Sequence, residues 1–191
     1  IDMLKLDLIV GSGGILSHAP RRIQSMLMMV DAYEPLGFTM LSVDSIFMMP
    51  HLGVLSTINE KAATDVFVRD CMIYLGTCVA PIGQGKSGDL CADYEITFPD
   101  GKTVQDRLLF GDLRLYPLEL GTKARMTVQP AKSANLGAGS GAMVMREVQG
   151  GVVGLMLDGR GRPFQLPGEQ SARVAALNKW YNAVDLYPTA S

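Results

Sequence analysis

The sequence predicts an α/β segment, then a β-rich module, then a terminal helix. Three observations lead to this fold class. A branched apolar run at residues 6–10 ends in a glycine-rich turn, and helix-periodic sequence follows. From Tyr74 onward, short strand-like runs alternate with turn signals. Near the C-terminus, apolar residues recur at helical spacing. We therefore divide the chain into two domains, residues 1–73 and residues 74–191.

The first elements predict a strand, a helix and a second strand. The strand at residues 6–10 precedes a predicted helix over residues 17–32, with Ser17 as N-cap and Pro20 in the first turn, where proline is tolerated. A second short strand covers residues 40–44. This order of elements is typical of a parallel crossover unit.

The following segments predict a further helix and the β-rich module. Residues 45–55 are apolar and interrupted by proline and glycine, and Asn59 is expected to cap a helix over residues 60–72. A last helix is expected over residues 169–184. The predicted strands of the module cover residues 77–82, 91–98, 103–110, 113–118, 124–128, 142–148 and 152–157. Their short length and tight turns favour an antiparallel, barrel-like arrangement.

Composition excludes several classes of protein. The 191 residues are 48% hydrophobic with a net charge of −2, so a sizeable core is possible and the clustered Lys/Arg of a nucleic-acid-binding surface is missing. No apolar run is long enough to predict a transmembrane helix. The chain starts at Ile1 and runs directly into a core-like strand, which we interpret as a fragment of a longer protein.

The three cysteines, Cys71, Cys78 and Cys91, predict neither a metal site nor a redox site. Their number is odd and their spacing matches no known motif. They fit small core residues in the reducing cytoplasm, which is the expected location of the protein.

The glycine turn is the candidate binding site. Gly11, Ser12, Gly13 and Gly14 join a buried strand to a helix start, where a nucleotide or anion can approach the backbone N–H groups. The alternative is a tight turn that only glycine can form. The motif matches neither the P-loop nor the dinucleotide fingerprint.

Other polar residues near the turn have two interpretations. His18, Arg21 and Arg22 could contact a phosphate or could form a solvated helix face. Asp44 and Ser45 end a predicted parallel strand, where ligand sites of α/β proteins collect, but the preferred interpretation is that they cap the next turn.

No catalytic residue is predicted. The Gly85-Lys86-Ser87 triplet lacks the preceding glycine of a Walker motif, since Ala80 stands at that position, so a surface loop is expected. An acyl- or phosphoryl-transfer enzyme would need a nucleophile beside a base, and Ser12 and His18 lie six residues apart across a turn.

Three stretches carry a resemblance to a known family. Residues 8–20 (LIVGSGGILSHAP), 43–55 (VDSIFMMPHLGVL) and 148–163 (VQGGVVGLMLDGRGRP) resemble the MutL-type proteins associated with glutamate mutase. These proteins are unrelated to the mismatch-repair protein of the same name. The resemblance extends from residue 6 to about residue 165.

The resemblance implies an actin-like ATPase fold in the complete protein and a role as a chaperone or reactivating factor for adenosylcobalamin-dependent mutases. It implies that Gly13 and Gly14, with Gly11 and Ser12 beside them, contact the adenosine side of ATP. ATP or ADP with Mg²⁺ would be the cofactor of the complete protein. The phosphate-binding segments of that superfamily and their metal-binding Asp have no counterpart here, so we do not expect hydrolysis by this chain alone.

The sequence thus leads to one hypothesis and one alternative. The hypothesis is the C-terminal part of an actin-like ATPase fold, followed by an antiparallel β-barrel-like module and a terminal helix. Its partners would be adenosylcobalamin-dependent mutase subunits and the missing N-terminal half, with no nucleic acid and no membrane. The alternative is a non-enzymatic protein-interaction module whose glycine turn is purely structural.

Overall fold

A computed structural model describes residues 2–187 of the chain. Its helices are α1 (Gly14–Ser17), α2 (Arg22–Tyr33), α3 (Met49–Ser56), α4 (Glu60–Val66) and α5 (Gln170–Ala183). Its strands are β1 (Leu8–Gly11), β2 (Gly37–Asp44), β3 (Met72–Ala80), β4 (Ile82–Gly83), β5 (Leu90–Thr97), β6 (Thr103–Leu109), β7 (Leu113–Tyr116), β8 (Lys123–Pro130), β9 (Ala134–Asn135), β10 (Val144–Gln149) and β11 (Leu155–Asp158). The strand and helix content agrees with the mixed fold class that the sequence predicts.

The main sheet has five strands in the order β1-β2-β3-β11-β7. The pairs β1/β2 and β3/β11 are parallel, whereas β2/β3 and β11/β7 are antiparallel. The parallel pairing of β1 with β2 across α1 and α2 confirms the predicted crossover unit. This sheet takes strands from both sides of the boundary between residues 73 and 74, and the division into two domains stays a prediction.

Helices cover one face of the main sheet. Helices α2 and α5 pack there on apolar side chains of β2, β3 and β11, with Met26, Met29 and Trp180 among the buried residues. Burial of such large apolar side chains contributes about 1.5–3 kcal/mol each. The two helices therefore fix the position of the segment that follows the glycine turn.

A four-stranded antiparallel sheet, in the order β10-β8-β5-β6, covers the opposite face of the main sheet. Its inward side chains include Ile96, Leu108 and Met126, and they pack with Val79 and Leu155 of the main sheet. The predicted barrel is wrong for the described residues. The order leaves β10 and β6 as separate edges, so the sheet stays open and packs face to face on the other sheet instead of closing on itself.

The single helix predicted over residues 17–32 is also wrong. The segment forms the short helix α1 and, after a break, helix α2. Pro20 accounts for the break, because proline has no N–H to donate and disfavours helical backbone at the preceding residue. Ser17 ends α1 and caps no helix, and its hydroxyl instead donates to the Asp44 carbonyl oxygen at 2.6 Å.

Helices α3 and α4 form a small cluster after β2. Pro50 lies in the first turn of α3, where its missing N–H costs nothing. Asn59 caps α4 as predicted, because its side chain accepts from the Ala62 N–H at 3.0 Å. A π-helical turn at residues 67–71 then leads into β3, where the sequence predicts continued α-helix.

Candidate functional site

The glycine turn and Asp44 lie at the same edge of the main sheet. Strands β1 and β2 are parallel, and Gly11 pairs with Val43 next to the last residue of β2. The carboxyl ends of parallel strands are where open α/β sheets bind ligands. The structure thus places side by side the glycine turn and Asp44, which the sequence alone does not connect.

The glycines of the turn have different roles. A Cβ at Gly11 would lie 2.7 Å from Leu16 Cδ1 and 3.0 Å from Met29 Sδ, so a side chain there would have to displace these two buried side-chain ends. Gly13 has a φ of +127°, a conformation that side-chain-bearing residues rarely adopt. A Cβ at Gly13 would meet no atom within 4 Å. Gly13 therefore leaves open space beside the backbone, whereas Gly11 does not.

Asp44 fixes the turn to the start of α3. Its buried carboxylate accepts from the Met48 N–H at 3.2 Å and the Met49 N–H at 2.9 Å. The same carboxylate accepts from Ser12 Oγ at 3.4 Å. The capping interpretation of Asp44 is thus confirmed, and the residue also connects the two loops at this sheet edge.

A cavity of about 530 Å³ opens next to the turn. Helix α2 forms one wall, and α5 with the residues after it forms the other. The lining residues are Gly14, Ile15, His18, Ala19, Pro20, Gln24, Leu27, Met28, Asp31, Tyr181, Leu186 and Tyr187. Ligand sites of small molecules have this volume and this mixture of apolar walls with few polar groups.

Asp31 connects the cavity to a buried ionic network. Its Oδ1 accepts from Arg160 Nη2 at 2.7 Å. Arg160 also donates to Asp158 Oδ1 at 3.0 Å and to Asp158 Oδ2 at 2.8 Å, and Arg162 Nη2 donates to that Oδ2 at 2.8 Å. Two carboxylates and two guanidinium groups thus neutralise one another between α2 and the loop after β11.

The network shifts the pKa values of both carboxyl groups in opposite directions. Burial raises the pKa of Asp31 above its usual value, and the charge of Arg160 only partly opposes this. Burial would also raise the pKa of Asp158, but the charges of Arg160 and Arg162 outweigh it and lower that pKa to about 2. Asp158 is therefore ionised at neutral pH in spite of complete burial.

Two of the basic residues near the turn have structural contacts. Arg21 Nη1 donates to the Leu186 carbonyl oxygen at 3.0 Å, and Arg22 Nη1 donates to the Ser17 carbonyl oxygen at 2.9 Å. His18 lines the cavity. The phosphate contact considered for the arginines is thus not favoured, because both guanidinium groups already hold chain segments together.

Apolar side chains are exposed around the same sheet edge and along α3. They include Ile15, Ile46, Phe47, Val54 and Ile58. Phe47 is 54% exposed and has a φ of +58°, which is unfavourable for an aromatic residue. This surface was not predicted from the sequence, where the apolar run at residues 45–55 gave no sign of which side chains would be buried.

Cysteines and carboxylates form no metal cluster in the described part of the chain. Within residues 2–187, no group of three or more His, Cys, Asp or Glu side chains lies close enough to hold a metal ion. Cys71, Cys78 and Cys91 are buried as free thiols, and burial raises the pKa of Cys78 and of Cys91 to about 12.

Residues 2–187 contain no helix with the length and hydropathy needed to cross a bilayer.

Sequence reasoning missed most of the cavity. Asp31 and the wall formed by Tyr181, Leu186 and Tyr187 belong to no motif, and only the folded chain brings them beside Gly14. Arg160 and Arg162 lie in the third stretch that carries the family resemblance. The resemblance therefore pointed to this stretch, but it gave these two arginines no role.

Comparison with known proteins gives one match. The family model described as MutL protein matches residues 1–71, the segment that contains the glycine turn, Asp44 and helices α1 to α4. No curated protein and no solved structure matches the chain significantly. Over residues 1–71, which include the first two of the three stretches, the match confirms the resemblance to the MutL family found in the sequence.

Proposed function

We propose that this chain supplies the adenosine-side wall of the nucleotide cleft in an actin-like ATPase of the MutL family. In the complete protein, ATP-driven domain motion would help an adenosylcobalamin-dependent mutase to exchange damaged cofactor. The chain would contribute a cleft wall and a partner-binding surface in the cytoplasm, and it would not be catalytic alone.

The observation that carries this proposal is the open backbone at Gly13. The residue combines a φ of +127° with empty space where a side chain would lie, at the carboxyl edge of parallel strands. Its neighbour Gly14 lines the 530 Å³ cavity. A Cβ at Gly11, by contrast, would meet Leu16 and Met29 inside the protein.

The residues present fit a nucleoside better than they fit a triphosphate with its metal. The cavity has apolar and aromatic walls, and the dipole of the one-turn helix α1 is small. Mg²⁺ and phosphate-binding groups would lower the barrier to hydrolysis in the complete protein by stabilising charge on the transferred phosphoryl group. In this proposal, segments outside the present chain supply those groups.

Calorimetric titration of the 191-residue chain with ADP tests the proposal. We expect saturable binding that adenosine competes for, because the proposed contacts lie on the nucleoside side. Failure of both ADP and adenosine to bind at millimolar concentration would contradict it.

A second candidate is the non-enzymatic interaction module. The exposed side chains of Ile46, Phe47, Val54 and Ile58, which lie within thirteen residues of sequence around α3, favour it, since exposed apolar surface is typical of protein contacts. For this candidate, purified mutase would bind the chain with the same affinity in the presence and absence of nucleotide. Dependence of that affinity on ADP would favour the nucleotide-cleft proposal instead.

A further inference from the structure

The cavity beside the glycine turn runs along one face of α2. Gln24, Leu27, Met28 and Asp31 line it at helical spacing, and Gly14 of the turn lines the same cavity. The seven residue-to-residue steps from Gln24 to Asp31 span about 10.5 Å along the helix axis. Since Gly14 and Asp31 both line the cavity, an elongated ligand that fills it can contact both residues.

The polar groups of α2 in this cavity differ at its two ends. Gln24 Oε1 already accepts from the Arg21 N–H at 3.1 Å, which leaves its amide N–H groups as donors. At the other end, Asp31 Oδ1 accepts from Arg160, and within residues 2–187 no group donates to Asp31 Oδ2. The far end of the cavity thus offers one carboxylate oxygen as a hydrogen-bond acceptor, with apolar side chains between the two ends.

We propose that Asp31 recognises the base of the bound nucleoside, with Oδ2 accepting from the exocyclic amino group of adenine while the ribose lies toward Gly13 and Gly14. This inference rests on the proposed function and adds to it the residue that selects the base. A single acceptor oxygen at the Asp31 end matches a single amino group, and a purine without that group leaves Oδ2 without a donor from the ligand.

Arg160 acts as a positioning residue for Asp31. Its side chain is 2% exposed and makes two hydrogen bonds to the buried Asp158. Its guanidinium also stacks over the rings of Phe164 and Trp180, at 4.5 Å and 5.2 Å from their centroids. Because these contacts hold Arg160 rigidly, the Asp31 carboxylate is oriented before a ligand arrives.

The carboxylate is also partly withdrawn from water. Its side chain is 42% exposed, and burial raises its pKa, which shows that water solvates the charge incompletely. A donor from the ligand would gain a charge-assisted hydrogen bond to this carboxylate.

Titration of the ¹⁵N-labelled chain with adenosine and with purine riboside, which lacks only the amino group, tests this inference by NMR. We expect adenosine to bind about tenfold more tightly, the size of one charge-assisted hydrogen bond. We also expect amide shifts to concentrate at Gly14 and along α2. Equal affinity for the two nucleosides, with shifts still at Gly14, would overturn the inference while leaving the proposed function intact, whereas shifts confined to other parts of the chain would overturn both.

Variants sharpen this test. Asp31→Asn keeps an acceptor for Arg160 but replaces Oδ2 by a donor, so the preference for adenosine should disappear. The matched control Asp65→Asn lies on the surface of α4 and should keep the preference. If Asp31→Asn does not fold, the nucleoside pair on the unmodified chain still decides the question. Binding of neither nucleoside would contradict both this inference and the proposed function.

Discussion

Arg160 donates a 2.7 Å hydrogen bond to Asp31 across 129 residues of sequence. The bond joins the loop after β11 to the helix that follows the glycine turn. Asp31 also lines the cavity, so a ligand bound there could contact a member of the buried ionic network directly. This side-chain pair is thus one of the contacts that join the family-matched segment to the rest of the chain.

Replacement of Arg160 by Met should destabilise the protein by about 3 kcal/mol. The substitution keeps much of the side-chain volume but removes one of the two cations that neutralise the buried Asp158. Urea unfolding followed by circular dichroism measures the change. The control is Arg107→Met, which breaks the exposed pair with Asp93 and should cost less than 1 kcal/mol. Equal losses in the two variants would show that the network is not stabilising.

Stability should fall as the solution is acidified through the pKa of Asp158. That pKa lies at about 2 in the folded chain and 3.8 for the ordinary group, so the unfolded state binds the proton first as the pH drops. Asp158 thus contributes about 2 kcal/mol above pH 4, and this contribution is lost as the pH falls through about 2. Asp31, whose pKa is raised, contributes in the opposite direction. Carboxyl ¹³C NMR measures both pKa values, and an Asp158 value at or above 3.8 would contradict the assignment.

Gly76→Ala should prevent stable folding. A Cβ at this position would lie 1.8 Å from the Gly154 carbonyl oxygen, and the φ of +136° already disfavours alanine. Backbone cannot move aside there, because β3 lies inside the main sheet. Gly88→Ala is the control, since it also has positive φ but open space around it. Thermal unfolding of the two variants separates the steric cost from the cost of the backbone conformation.

Phe47→Gly should raise stability by about 1 kcal/mol. Glycine relieves the strain of a φ of +58°, and little apolar burial is lost because the ring is 54% exposed. Denaturant unfolding measures this change. A loss of stability would mean that the ring packs more strongly than its exposure indicates. A gain would leave the strained phenylalanine to be explained by binding rather than by folding.

The sequence predicts the elements of this fold better than it predicts their assembly. Local signals suffice for β1, the turn and the Asn59 cap, because strand length, glycine and capping residues act within a few positions. The packing of two open sheets in place of a barrel depends on pairings between distant strands such as β3 and β11, which no local pattern specifies. The break at Pro20 was misjudged because proline is tolerated in a first helical turn and also ends helices.

In the candidate site, too, the sequence predicts the local motif but not the residues that the fold brings beside it. Gly13 was found because a glycine-rich strand-to-helix turn is a local motif with a physical meaning. Asp31, Tyr181 and Leu186 could not be found, since each is unremarkable in its own segment and acquires a role only beside the others.

Binding of ADP to the Gly13→Asp and Gly101→Asp variants tests the central claim most directly. Both glycines have positive φ and open space around them, so the two substitutions carry the same kind of backbone cost, and Gly101 lies in the distant hairpin turn between β5 and β6. The account predicts that Gly13→Asp weakens binding at least tenfold, because a carboxylate would occupy the space beside the turn, while Gly101→Asp binds like the unmodified chain. Unchanged ADP affinity in Gly13→Asp would contradict it.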